Sequence, residues 1–107
     1  MSLPTYAEIS RKLGAELPVD HDRRATRAGI YDALVRHDLA SPARQGVPKW
    51  LALYNAHRWA YSWMDTQLHL RPSPALLDDA RAKVRAMIVN LQGPERDRVW
   101  KWTEEGR

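Results

Sequence analysis

The chain has 107 residues, 44% hydrophobic and 28% charged, with a net charge of +4 and an isoelectric point near 9.8. One domain with its own core fits that length, and the composition argues against wholesale disorder. The absence of cysteine removes disulfides, thiol catalysis and thiolate metal sites together. No apolar run is long enough for a membrane span, and the opening MSLPTYAEIS lacks the regions of a secretory signal. The expectation is a cytoplasmic protein that makes no membrane contact.

Thr5, with Glu8 three residues on, forms a capping box that opens a first helix. Tyr6, Ile9 and Leu13 give it a narrow apolar stripe, and Gly14 is a natural stop. Pro18 makes AELPVDHD a connection. Asp20 or Asp22 then caps a second helix over 21–38, with Ile30, Tyr31 and Leu34 facing inward. Gly29 in its middle weakens it slightly or lets another part of the chain come close. LASPARQGVP reads as a loop with room for one turn.

A long central helix follows over 48–70, starting with Pro48 at a first helical position. Trp50, Leu53, Tyr54, His57, Tyr61, Met64 and Leu68 share one face and are expected to enter the core. Trp59 and Trp63 lie a turn apart on roughly the opposite side, beside Ala52 and Ala56. A helix apolar on nearly two sides has several neighbours. Ser73 and Pro74 start a fourth helix whose stripe runs Leu77, Ala80, Val84, Met87, Ile88, Leu91. Gly93-Pro94 ends it and begins a fifth, which Val99, Trp100 and Trp102 dock. No stretch alternates like a strand, and there is no internal repeat. The predicted fold is an all-α, compact bundle of about five helices forming one domain, with 48–70 at its centre.

TYAEISRKLG resembles the leading helix of helix-turn-helix proteins, in which a short turn follows and a recognition helix then enters the major groove. AELPVDHD departs from that pattern, being too long for the usual turn of about three or four residues. The cations point the same way more broadly. Thirteen of the seventeen are Arg, although 1–49 and 50–107 each net +2, so the excess is dispersed. Arg23, Arg24 and Arg27 crowd the predicted start of the second helix, where dipole and free N–H groups already make a positive field. A bound phosphate explains that placement. Local neutralisation by Asp20, Asp22 and Asp32 explains it equally simply.

Catalysis has little to draw on. There is no nucleophile motif, no Gly-rich phosphate loop and no dinucleotide fingerprint. Asp78 and Asp79 are adjacent, so on a helix they diverge by about 100° and cannot act as a pair. The four His show no ligand spacing, and His57 is expected as a hydrogen-bonded core residue. Neither an enzyme, nor a cofactor, nor a metal site is expected. Two readings remain. One is a nucleic-acid-binding or regulatory protein gripping phosphates with Arg23, Arg24 and Arg27, joined by Arg11 and Lys12 of the first helix. The other is a protein-interaction module, an adaptor or inhibitor, using Trp59 and Trp63 or the loop around Arg44.

Overall fold

A computed structural model describes residues 3–105. Five α-helices make up the fold: α1 Tyr6–Leu13, α2 Arg27–Leu39, α3 Lys49–Gln67, α4 Asp78–Ile88 and α5 Pro94–Glu104. Short 3-10 turns, Pro42–Arg44 and Pro74–Leu77, precede α3 and α4. No strand occurs among the described residues. The bundle is all-α, as the periodicity predicts.

Several ends are set by the residues the sequence singles out. Thr5 Oγ1 accepts from Glu8 N at 3.1 Å while the Glu8 carboxylate accepts from Thr5 N, closing the capping box. Gly14, at φ 79°, supplies the left-handed residue that ends α1. Ser73 caps the turn that leads into α4, accepting from Ala75 N.

α2 starts six residues later than predicted. Asp20 Oδ1 accepts from Asp22 N at 3.0 Å, and Asp20 O from Arg23 N at 3.1 Å, so this aspartate closes a turn of its own. Thr26 becomes the cap, its hydroxyl accepting from Gly29 N at 2.9 Å. Arg23 and Arg24 therefore lie in the preceding loop, and only Arg27 stands at the helix start.

α3 is central, but its most deeply buried ridge is not the aromatic one. Ala52, Ala56, Ala60 and Met64 repeat every four residues and are buried, while Trp50, Leu53, Tyr61 and Leu68 are only half-buried. The molecule measures 43 × 31 × 20 Å, and its thinnest dimension is about two helix diameters. Two layers can close over small side chains, but not around every face of large ones. α3 stops at Gln67, with His69 in the left-handed region at φ 51°. Leu70 then turns back inward, and Pro72 is fully buried.

α2 packs on α3, α3 on α4 and α4 on α5. Ile9, Ile30, Leu34, Met64, Val84, Ile88 and Val99 are fully enclosed along this series. α4 ends at Ile88, where Arg96 of α5 reaches back to the free carbonyls, Nε donating to Ile88 O at 3.0 Å. Leu91, beyond that end, is consequently exposed, and Met87 inside α4 also faces solvent, although both lie on the predicted apolar stripe. Trp100 lies between two guanidinium groups, those of Arg85 and Arg96, at 4.2 and 4.3 Å from its ring centre. Trp102 meets the edge of Tyr54 at 5.2 Å. α5 therefore docks on Tyr54 and the arginines of α4, and not on Trp59 and Trp63.

Candidate functional site

The loop between α1 and α2 is pinned from below. Leu17 is buried, and its amide donates to Ser10 Oγ at 3.1 Å. From that anchor the chain passes through the Asp20 turn and carries Arg23 and Arg24 out into solvent, directly before the positive end of α2. Both side chains border a cleft of about 630 Å³, walled by Tyr6 of α1 and by Gly29, Asp32 and Arg36 of α2. They also border a second cleft, with Thr5, His21 and Asp22.

The acidic residues nearby are otherwise engaged or unpaired with these arginines. Asp32 binds Arg36 at 2.9 Å across one helical turn, and Asp20 accepts from the backbone. Among the described residues, neither Arg23 nor Arg24 makes an ion pair. The neutralisation by Asp20, Asp22 and Asp32 that the sequence allows is thus not realised as salt bridges. Arg27 is exposed as well, but its Nη1 donates to Arg71 O at 3.0 Å and braces α2 against the segment after α3. Tyr6 fits beneath this site because position 29 is glycine: a Cβ there would collide with its hydroxyl and come within 2.9 Å of Thr26 Oγ1.

The other anticipated residues fall elsewhere. Arg11 and Lys12 are exposed in the last turn of α1, where cations suit the helix dipole. Lys12 borders a separate groove with Gln67, Leu68 and His69, so the structure does not bring it to Arg23 and Arg24. Trp59 and Trp63 are half-buried, their rings 6.1 Å apart, with His37 of α2 6.0 Å from Trp59. Arg44 is spent within the fold, since its Nε and Nη2 grip Asp38 at 2.8 and 3.3 Å. His57 is half-buried and shares a hydrogen bond with the Tyr31 hydroxyl through Nδ1. Among the described residues, no group of three His, Cys, Asp or Glu side chains converges as metal ligands. No helix among them is long and apolar enough to cross a membrane.

Sequence reasoning misses a second concentration of charge, where Arg58 of α3 meets Arg81 of α4 beside Trp102 of α5. Three elements contribute to it, so no local spacing signals it. The capping role of Thr26 does have a signal, a Thr just ahead of the first inward-facing residues, but two aspartates upstream compete for the same reading. The chain matches no protein-family model, no curated protein and no solved structure.

Proposed function

We propose that this protein binds nucleic acid by gripping backbone phosphates with Arg23 and Arg24, with Arg27 at the edge of the contact. The observation that carries this reading is the state of the two loop arginines. They are exposed, adjacent, free of ion pairs among the described residues, and set before a helix N-terminus. An anion drawn to the free N–H groups of that helix start would lie within reach of two guanidinium groups that have no other charge partner among the described residues. Each bound phosphate releases condensed counterions, so affinity for duplex DNA falls with salt by a log–log slope of about −0.9 per phosphate.

Gel shifts on duplex DNA at two salt concentrations test this directly. Arg24→Ala is expected to reduce the slope by about one and to weaken all sequences alike. Because Arg24 is exposed, its melting temperature should stay within about 2 °C of wild type. Absence of binding to DNA or RNA at low salt sinks the reading.

One observation favours a protein-docking role instead. Trp59 and Trp63 keep part of their rings in solvent, side by side, as an anchor for a partner would. Trp59→Ala separates the two readings, because phosphate contacts by the α1–α2 loop predict no change in its gel shift.

A further inference from the structure

We propose that the notch where α3, α4 and α5 meet binds a small organic monocarboxylate with a flat apolar body. It lies apart from the Arg23–Arg24 loop and does not depend on it. Its volume is about 420 Å³, enough for a small metabolite. Arg81 enters from α4 with a side chain only 12% exposed, its guanidinium carbon 5.3 Å from the Trp102 ring centre. A guanidinium so enclosed ordinarily has a close carboxylate partner. Here the one ion-pair contact is loose: Glu105 Oε2 lies 3.8 Å from Nη2 on a side chain 67% exposed. Arg81 Nε is buried without any hydrogen-bond partner.

Arg58 faces the same notch from α3. Its Nη1 donates to Tyr54 Oη at 2.9 Å, which orients the group while leaving its other N–H groups unused by that bond. Two guanidinium groups against one exposed carboxylate leave the notch with a single positive charge. A monoanion matches that balance; a phosphate dianion does not. A carboxylate accepts two parallel hydrogen bonds from an arginine fork. Leu77 and Trp102 supply apolar walls for a ring, and Ser62 lies at the polar side. In this arrangement Glu105 stays at the rim of the notch, and the incoming carboxylate takes the guanidinium N–H groups that its loose contact leaves unbonded.

Benzoate serves as the probe, followed by the indole N–H signal of Trp102 in two-dimensional NMR of the full chain. A saturable shift is expected, absent with benzamide and smaller with inorganic phosphate at equal concentration. Arg58→Ala should weaken benzoate binding about tenfold, as loss of a hydrogen bond to a charged group does. Glu105→Gln should tighten it by up to about fivefold, because an exposed competing charge is removed. The second variant lies on the surface at the end of α5, so the test stands even if Arg58→Ala perturbs folding. No saturable shift overturns the proposal, as does an equal response to benzamide or phosphate. So does a Glu105→Gln affinity that stays level or falls.

Discussion

Tyr31 and His57 show how a single contact ties stability to pH. The Tyr31 hydroxyl and His57 Nδ1 share a hydrogen bond of 2.5 Å in the half-buried space between α2 and α3. Burial pushes the His57 pKa below its ordinary value of 6.5, helped by Lys83 and opposed by Asp32. Burial also raises the Tyr31 phenol above its ordinary value, with Arg81 opposing and Tyr61 adding. In acid the unfolded chain protonates this histidine first. Its contribution is therefore complete above about pH 6.5 and is lost as the pH falls toward the depressed native value. In base the unfolded phenol ionises first, and stability is lost above about pH 10. Urea midpoints across that range should show a plateau with two falling limbs, the alkaline one shallower in Tyr31→Phe. An unchanged alkaline limb in that variant would remove Tyr31 from the account. The apolar face of α3 already marks His57 as a bonded interior residue, but its partner, 26 residues away, is not legible from spacing.

At the scale of helices, caps decided what periodicity did not. The stripes of α1 and α2 were readable, and so was the clustering of Arg23, Arg24 and Arg27. The start of α2 was not, because Asp20, Asp22 and Thr26 are all competent caps and only the tertiary fold selects among them. Gly29 joins the two helices in a second way, since the phenol of Tyr6 occupies the space a side chain would take. Tyr6 is only 4% exposed and cannot swing aside freely. Gly29→Ala should therefore destabilise the protein by about 1–3 kcal/mol through overpacking, despite the better helix propensity of alanine. Thermal melts read this, and a rise in melting temperature would show that α1 does not lean on α2 at this point.

Across the whole molecule, the helix count and the central place of α3 were legible because long apolar periods and Pro-Gly breaks leave few alternatives. The depth of burial was not. Leu91 carries the right spacing and still faces solvent because α4 stops at Ile88, before reaching it, and Met87 inside the helix is exposed too. Nor does any local pattern announce that Arg58, Arg81 and Trp102 share a notch. The order of packing, α2 on α3, α3 on α4 and α4 on α5, has a kinetic consequence. From α2 to α5 each helix finds its main support in its neighbour along the chain, so little loop-closure entropy precedes the first stabilising contacts. Folding should relax in microseconds to milliseconds, as in other topologies dominated by local contacts. Temperature-jump measurements near the denaturation midpoint would read this, and a main phase of seconds would mean that a distant pairing, such as Arg27 with Arg71 O across 44 residues, must form before the rest can close.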